Sequence, residues 1–286
     1  MKRLALLGLA AALLVGAATA QAGEALRELR VSAIPDENPT ELARIYTPFA
    51  EYLSKELGLK VTYTSVVDYA ATVEGLAGKK LDLVWYGGFT FVQARKRAGD
   101  VVPLVSREED LTFHSKFITR KDTGITKLAD LKGKTFSFGS VSSTSGHLMP
   151  RYFLLQNGID PEKDFAKFSF SGAHDATALW VESGKVDAGA LNEAVWDKLL
   201  QTKKVDTGKV VVFWTTPPFV DYVWAARGDL DKDLQERIAS ALLKLDPNQP
   251  ADKRLLDLHR TKRYVRVKAE DFKPTEDAAI AAGLLK

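Results

Sequence analysis

The chain contains no cysteine, and only two of its 286 residues are methionine and four are histidine. The absence of cysteine excludes a disulfide framework, a thiolate metal site and a cysteine nucleophile. The histidines follow neither the H-E-x-x-H pattern nor any other metal-ligand spacing, so the sequence predicts no metal and no other cofactor. They are His114, His147, His174 and His259. Stability must therefore come from core packing, and a chain of this length can bury a large core.

An excess of charge of one sign is lacking too. The chain has 40 Lys and Arg residues against 37 Asp and Glu residues, a formal net charge of +3. Such a balance creates no field strong enough to attract nucleic acid or an anionic membrane. The sequence therefore predicts no nucleic-acid partner.

Two motifs of nucleotide-binding and hydrolytic enzymes are also missing. The G-K-T at residues 133–135 resembles the end of a P-loop, but Leu128 stands where that motif requires glycine. It also precedes a predicted strand, whereas a P-loop follows one. Ser145 lacks the G-x-S-x-G context of a nucleophile elbow, because position 143 is serine.

Long apolar runs are confined to the start of the chain. The basic pair Lys2-Arg3 precedes an apolar run at residues 4–17, and small residues at A-x-A spacing follow. This order predicts a secretory signal peptide at residues 1–22, cleaved after Ala20 or Ala22, with a retained anchor as the alternative. Cleavage removes both basic residues and lowers the formal net charge to +1. We expect the mature chain to be soluble and exported.

The rest of the chain alternates compact apolar runs with amphipathic stretches, which is typical of strands and helices in β-α-β order. A helix capped by Thr40 and ending before Gly58 is predicted between the first two strands. This order predicts an α/β fold with largely parallel sheets covered by helices. The segment 247–286 is predicted to be helical and basic, and then loose. The first predicted strands are residues 29–34, 60–67 and 81–86.

The stretch FSFGSVSSTSGHLMPRYFL, residues 136–154, is the most informative part of the chain. It predicts a strand, a short loop, and a helix that opens at Ser143-Thr144-Ser145-Gly146. The first turn of a helix leaves N–H groups without partners and carries partial positive charge. Three hydroxyls add donors there, and the glycine lets a ligand approach the backbone. The sequence therefore predicts an oxyanion site; the alternative is that these residues only cap the helix.

Two parts of the chain repeat one pattern. Residues 68–82 and 174–187 each contain a predicted helix, a Gly-Lys turn and a strand that begins with an acidic residue. Chance similarity between two βαβ units is the alternative. If the repeat reflects two lobes of like topology, ligands are expected outside the carboxyl ends of the strands. The helix starts and strand ends expected at that cleft are Tyr69, Thr144 and His174, and Tyr86, Asn192 and Asp221.

Two of these side chains suggest specific roles. Tyr86 ends a strand beside two glycines, where its phenol can donate a hydrogen bond while its ring forms a wall. His174 begins a helix, whose dipole disfavours a charged imidazole, so a neutral donor is expected. A triad of Ser145, His174 and Asp175 is the enzymatic alternative, but a donor-rich helix start already accounts for the serine.

Six stretches of the chain carry a family resemblance. They are AIPDENPTE (33–41), VVDYAATVEGLAGKKLDLVWYGGFTFVQA (66–94), LADLKGKTFSFGSVSSTSGHLMPRYFL (128–154), SGAHDAT (171–177), SGKVDAGALN (183–192) and TTPPFVDY (215–222). In this order they resemble the phosphate/phosphite/phosphonate family of ABC-transporter periplasmic substrate-binding proteins, over nearly the whole mature chain. Within that family, the run from AIPDENPTE through SSTSGHLMP is most similar to the branch described as selenate-binding.

The resemblance implies an α/β, two-lobed periplasmic-binding-protein fold of type II, a Venus flytrap with a hinge and a central ligand cleft. Lobe 1 would comprise residues 29–112 plus 221–286 and lobe 2 residues 113–220, and the two crossings would form the hinge. The implied ligand contacts contain neither arginine nor lysine. They are Tyr69, Tyr86, Ser143, Thr144, Ser145, His174 and Asp221.

The resemblance also implies a function. The expected protein is a periplasmic monomer without enzymatic activity, which captures a small tetrahedral oxyanion and delivers it to the permease of an ABC transporter in the inner membrane. A sensory module that presents its ligand to a receptor is one alternative. A Ser/His hydrolase on the same scaffold is the other.

Which oxyanion binds depends on whether the oxyanion carries a proton that it can donate to the protein. Selenate and sulfate only accept hydrogen bonds near neutral pH, whereas phosphite, phosphate and phosphonates can also donate one. A carboxylate in the cleft, such as Asp221, Asp36 or Glu37, would be unpaired against selenate, at a cost of about 1–3 kcal/mol. An Asp221 side chain that faces the ligand would therefore count against selenate.

Overall fold

The computed structural model describes residues 26–286. The predicted signal peptide, residues 1–22, lies outside the described residues. Among the described residues, no helix is both long and apolar enough to cross a membrane.

The described chain contains strands and helices in the α/β order predicted from the sequence. The strands are β1 (Glu28–Ala33), β2 (Lys60–Tyr63), β3 (Leu83–Tyr86), β4 (Val101–Arg107), β5 (Ser115–Arg120), β6 (Thr135–Phe138), β7 (Lys167–Phe170), β8 (Ala188–Asn192), β9 (Val210–Thr215), β10 (Val223–Arg227) and β11 (Tyr264–Arg266). The α-helices are α1 (Pro39–Leu57), α2 (Tyr69–Ala77), α3 (Gly88–Ala98), α4 (Met149–Gln156), α5 (Pro161–Asp164), α6 (His174–Glu182), α7 (Glu193–Gln201), α8 (Lys232–Leu243), α9 (Pro250–Leu258) and α10 (Lys273–Ala281). A π-helical turn, Thr144–Leu148, leads directly into α4.

The strands form two sheets, and each sheet is the centre of one lobe. Lobe 1 is built on a six-stranded sheet of order β11-β4-β10-β3-β1-β2, and lobe 2 on a five-stranded sheet of order β7-β6-β8-β5-β9. Both sheets are mixed rather than simply parallel, since β10 runs antiparallel to β3 and β4, and β5 runs antiparallel to β8 and β9. Each of these reversed strands is the first strand after the chain crosses from one lobe to the other.

The repeat seen in the sequence has a structural counterpart. The order β2-β1-β3-β10-β4 matches β7-β6-β8-β5-β9, so α2 and α6 occupy equivalent places in the two lobes. The acidic residue before the central strand has the same role twice. Asp82 accepts a hydrogen bond from the Arg30 N–H and Asp187 accepts one from the Thr135 N–H, each at 2.8 Å. Each carboxylate thus ties the central strand to the neighbouring parallel strand.

Two chain crossings connect the lobes, one between β4 and β5 and the other between β9 and β10. They pair with each other through a two-residue antiparallel bridge, in which Phe113 and Phe219 exchange N–H···O=C bonds of 2.8 and 2.9 Å. Arg107, at the end of β4, lies buried beside this bridge. Its guanidinium binds Asp110 (2.6 and 2.8 Å) and lies 4.9 Å from the centre of the Tyr222 ring.

Several predicted elements differ from the observed ones at their ends. Helix α1 is capped by Asn38 rather than Thr40, because the Asn38 side chain accepts the Glu41 N–H (3.2 Å) and Pro39 occupies the first helical position. Strand β2 ends at Tyr63. The expectation of a loose tail is wrong, since β11 pairs with β4 and α10 follows it.

Candidate functional site

The predicted helix starts meet between the lobes. Tyr69 is the first residue of α2, His174 is the first residue of α6, and Thr144 begins the π-helical turn. These three residues are at most 1% exposed, and Ser143 and Ser145 are equally buried. The structure therefore brings together the residues that the sequence placed at one cleft.

The cleft is closed around these residues. Thr90 Oγ1, on α3 of lobe 1, donates to the Ser142 carbonyl of lobe 2 (2.8 Å). The His174 N–H of lobe 2 donates to the Asp36 carbonyl of lobe 1 (2.9 Å). The helix start is thus enclosed between two lobes rather than in the core of one.

The π-helical turn owes its shape to donors from outside it. Ser115 Oγ donates to the Ser145 carbonyl (2.7 Å), and the Gly139 N–H donates to the Gly146 carbonyl (2.8 Å). Ser143 caps the turn by accepting the Gly146 N–H (3.0 Å). Such wide turns occur mostly as single insertions in helices, frequently at functional sites.

Gly146 lets the imidazole of His174 approach the turn closely. A Cβ at this position would lie 2.9 Å from His174 Cε1 and 3.0 Å from Ser143 Oγ, closer than side chains tolerate. The glycine at the helix start therefore serves the packing of two candidate ligand-binding side chains.

Asn192 determines which ring nitrogen of His174 carries the proton. The Asn192 N–H donates to Nδ1 (3.2 Å), so the proton of the neutral ring must lie on Nε2. Burial lowers the pKa of His174 to about 3, which keeps the ring neutral at physiological pH. The geometry agrees with the neutral donor expected from the sequence.

Asp221 lies on the second crossing, just before β10, and its carboxylate accepts the Gly88 N–H at the start of α3 (3.0 Å). The Thr144 hydroxyl accepts the next N–H, from Phe89 (2.9 Å). A Cβ at Gly87 would lie 2.9 Å from Thr144 Oγ1 and 3.2 Å from Asp221 Oδ1. The start of α3 therefore holds Thr144 and Asp221 side by side, and Gly87 makes room for both.

Burial raises the pKa of two carboxyl groups near this point. Burial raises the pKa of Asp221 to about 7, although the hydrogen bond from the Gly88 N–H acts in the opposite direction. Burial also raises the pKa of Asp36 to about 7, and the adjacent Glu37 carboxylate adds to the rise. Asp36 accepts a hydrogen bond from the Tyr222 hydroxyl (3.1 Å).

Three of the predicted site residues each present one buried polar atom without a hydrogen-bond partner in the protein. These atoms are Tyr69 Oη, His174 Nε2 and Asp221 Oδ2. Burial raises the pKa of Tyr69 well above its usual value, although the nearby Ser143 hydroxyl acts in the opposite direction, so the phenol stays protonated. Buried polar groups are nearly always paired, so two donors and one acceptor here indicate a polar guest.

The cationic side chains around this region are bound by other groups of the protein, including Arg260, which binds Glu37 (2.8 Å) and whose charge acts on His174. Arg107 binds Asp110, as described above, and Arg151 on α4 binds Glu162 (2.9 Å) and donates to His147 Nε2 (3.2 Å). His147 in turn donates from Nδ1 to the Val141 carbonyl (2.7 Å), and burial lowers its pKa to about 4. An anion at this site would therefore meet neutral donors and a helix dipole.

Two expectations need correction. The Tyr86 hydroxyl donates to the Thr72 carbonyl (2.9 Å), so its proton is not free for a ligand. The triad of Ser145, His174 and Asp175 is not assembled, because Nδ1 of the imidazole accepts from Asn192 and Asp175 accepts from Asn38 Nδ2 (3.0 Å).

Sequence reasoning missed Tyr222 and Ser115. Tyr222 links the lobes, because its hydroxyl accepts from Asn192 Nδ2 (2.6 Å) and donates to Asp36. Its position directly after Asp221 was the available signal. Ser115, which supports the π-helical turn, starts a strand without any local feature that points to the site.

Comparison with known proteins gives one consistent result. A family model described as the periplasmic substrate-binding protein of a phosphonate ABC transporter matches residues 31–272. The probable ABC transporter phosphite binding protein PhnD1 of Prochlorococcus marinus (strain MIT 9301) is 40% identical over 261 residues, which cover 87% of this chain and 88% of that protein. The phosphonates-binding periplasmic protein of Escherichia coli (strain K12) is 31% identical over 227 residues, covering 77% of this chain and 66% of that protein.

A solved structure agrees with these relatives. PhnD1 from Prochlorococcus marinus (MIT 9301), in complex with methylphosphonate, superposes with a TM-score of 0.87 at 38% identity. The match covers 91% of this chain and 99% of that chain. The type of fold expected from the sequence, an α/β periplasmic-binding-protein fold of two lobes, is thereby confirmed.

Proposed function

From the premise that this chain belongs to the family of periplasmic substrate-binding proteins of phosphonate ABC transporters, we propose that it captures a small phosphorus oxyanion. The observation that carries the proposal is the set of unpartnered atoms Tyr69 Oη, His174 Nε2 and Asp221 Oδ2 beside the start of the π-helical turn. A tetrahedral oxyanion that retains one proton pairs with all three.

The two lobes close on the ligand as a hinge motion. We assign residues 29–112 and 221–286 to lobe 1 and residues 113–220 to lobe 2, because these bounds separate the two sheets, with only Glu28 of β1 outside them. The paired crossings at Phe113 and Phe219 form the hinge. A ligand that binds groups from both lobes shifts the equilibrium toward the closed state.

The ligand-binding residues are Tyr69 from lobe 1, Ser143, Thr144, Ser145 and His174 from lobe 2, and Asp221 beside the hinge, with Tyr86 as a wall. The hydroxyl of Tyr69 and Nε2–H of His174 donate to ligand oxygens. The helix start adds hydroxyl and backbone N–H donors in the positive end of the helix dipole. Selection thus depends on hydrogen-bond geometry more than on net charge.

Asp221 favours phosphite and phosphonates over selenate. Its Oδ2 has no hydrogen-bond partner in the protein, and a pure acceptor such as selenate leaves that oxygen unpaired when the carboxylate is ionised. A mismatch of this kind costs about 1–3 kcal/mol, which is tenfold or more in affinity. The names of the relatives, which refer to phosphite and phosphonates, point the same way.

The protein acts in the periplasm, to which a cleavable signal peptide directs it, and it works as a monomer. It delivers its ligand to the permease of an ABC transporter in the inner membrane and catalyses no reaction. The family and the names of its members as binding proteins support the periplasmic location, the ABC transporter and the binding role.

Calorimetry with a panel of oxyanions tests this function. The panel contains selenate, sulfate, phosphate, phosphite, methylphosphonate and 2-aminoethylphosphonate. We expect phosphite or methylphosphonate to bind most tightly, and the double variant Thr144→Val/Ser145→Ala to lose that binding while it remains folded. Failure of every member of the panel to bind the wild-type protein would refute the proposal.

A further inference from the structure

The segment between β1 and the first turn of α1 is the part of lobe 1 that makes polar contacts with two helices of lobe 2. Asn38 donates to Asp175 on α6 from both its N–H (3.2 Å) and its Nδ2 (3.0 Å). Lys198 on α7 donates to Glu37 (2.5 Å) and to Glu41 (2.7 Å). These contacts involve none of the three unpartnered atoms assigned to the ligand.

Lys198 is nearly enclosed in this contact. Its side chain is 12% exposed, and the Glu37 side chain is 2% exposed. Helix α7 is fixed to lobe 2, because Val195, Trp196 and Leu199 are buried in the core of that lobe. The ammonium group therefore reaches across the cleft from a rigid support.

Opening the lobes would change the surroundings of Lys198 more than those of Glu37. Glu37 also binds Arg260, a residue of its own lobe (2.8 Å). Burial alone would raise the pKa of Glu37, but Arg260 and Lys198 outweigh burial and lower it. On opening, Glu37 keeps Arg260, whereas Lys198 loses both of its carboxylate partners and passes into water.

We propose that Lys198, Glu37 and Glu41 form an inter-lobe clasp that sets how long the closed protein retains its ligand. The clasp acts outside the ligand site, so it stabilises the closed state whichever oxyanion is bound. Opening must break a partly buried ion pair, and such pairs govern dissociation more than association. The part of this inference that concerns ligand retention rests on the proposed function.

Lys204 provides a matched control. Its ammonium group also approaches Glu41, but at 4.0 Å, and its side chain is 53% exposed. Exposed pairs of this geometry contribute little, because water and salt screen them. Lys198→Met and Lys204→Met therefore remove the same charge next to the same carboxylate.

Stopped-flow measurement of methylphosphonate and phosphite release from the full mature chain tests the clasp. Lys198→Met should raise the dissociation rate constant by about tenfold or more, with a much smaller change in the association rate constant. Lys204→Met should change the dissociation rate constant less than about twofold. Lys198→Arg, which keeps the charge, should restore most of the retention.

Equal dissociation rate constants for the wild type and a folded Lys198→Met variant would overturn the proposal. If Lys198→Met does not fold, Glu41→Gln replaces it, and an unchanged release rate in that variant would overturn the proposal equally. If neither oxyanion binds the wild type, the proposed function fails, and small-angle X-ray scattering of the unliganded proteins decides about the clasp. A larger radius of gyration for Lys198→Met than for Lys204→Met supports the clasp, and identical scattering refutes it.

Discussion

At the scale of single residues, the site selects its guest by the direction of hydrogen bonds. Tyr69 and His174 have a proton to donate, because burial keeps the phenol protonated and Asn192 places the imidazole proton on Nε2. Asp221 offers one oxygen that needs a donor. The arginine closest to the helix start in sequence, Arg151, is bound by Glu162 and cannot offset a fully ionised guest. A guest that pairs with all three groups must therefore offer acceptors and share one proton with Asp221.

Tyr69 and Tyr86 form a pair that separates ligand binding from structure. Tyr69→Phe removes a donor without a partner in the protein, so we expect the affinity for phosphite to fall about tenfold to a hundredfold. Tyr86→Phe removes a buried hydrogen bond to the Thr72 carbonyl, so we expect the free energy of unfolding to fall by about 1 kcal/mol. Calorimetric titration and urea unfolding measure the two quantities. An affinity loss of similar size in both variants would contradict the division of roles.

At the scale of helices and strands, local sequence signals predicted the helix starts that carry the site residues. They did not predict the strand directions and the π-helical turn that position those residues. The start of α2 was predictable because the acidic cap Asp68 directly precedes a periodic apolar stretch. The start of α6 was predictable because His174 begins another such stretch. The reversed strands β5 and β10 were not predictable, since their direction is decided by where the chain returns after crossing between lobes. The π-helical turn was not predictable either, because it depends on a hydrogen bond from a distant strand. The Ser115 hydroxyl on that strand donates to the Ser145 carbonyl of the turn.

The N-caps of α1 and α2 provide a test at this scale. Asn38 and Asp68 each accept one N–H of their helix, at 3.2 and 2.8 Å, but only Asn38 also donates to Asp175 across the cleft. We expect Asn38→Ala and Asp68→Ala each to lower the free energy of unfolding by about 1 kcal/mol. Faster ligand release is expected for Asn38→Ala alone. Urea unfolding and stopped-flow release measure these effects, and equal release rates in the two variants would contradict the expectation.

At the scale of the whole molecule, the closed arrangement of the lobes buries two carboxyl groups near the proposed ligand site. The sequence predicted which helix starts meet, because a repeated βαβ pattern implies two sheets whose carboxyl ends face each other. It did not predict that Tyr222 would bridge Asn192 of lobe 2 and Asp36 of lobe 1, since contacts of such long sequence separation depend on the angle between the lobes. The closed molecule thus holds two carboxyl groups, Asp36 and Asp221, whose pKa values burial raises to about 7.

This burial predicts that ligand binding is coupled to protons. The proposed complex holds one proton between Asp221 and the oxyanion. Above the pKa values of both groups, each is ionised, so binding must take up a proton and affinity falls about tenfold per pH unit. Below both values, each is protonated, so binding must release a proton and affinity falls again. We therefore expect the affinity for phosphite to be greatest near neutral pH, where burial has placed the pKa of Asp221.

Asp221→Asn removes the titrating group at position 221 and leaves Asp36, whose pKa burial also raises to about 7. The variant therefore separates the contributions of the two residues. The amide does not ionise, and its Nδ2–H₂ can donate to a fully ionised oxygen. We expect the variant to take up about one proton fewer than the wild type when it binds phosphite at alkaline pH, and to bind selenate more tightly than the wild type does. Titration calorimetry in buffers of different ionisation enthalpy counts the protons. Equal proton uptake in both proteins would show that Asp221 does not share a proton with the ligand, because no other change in the variant removes a titrating group.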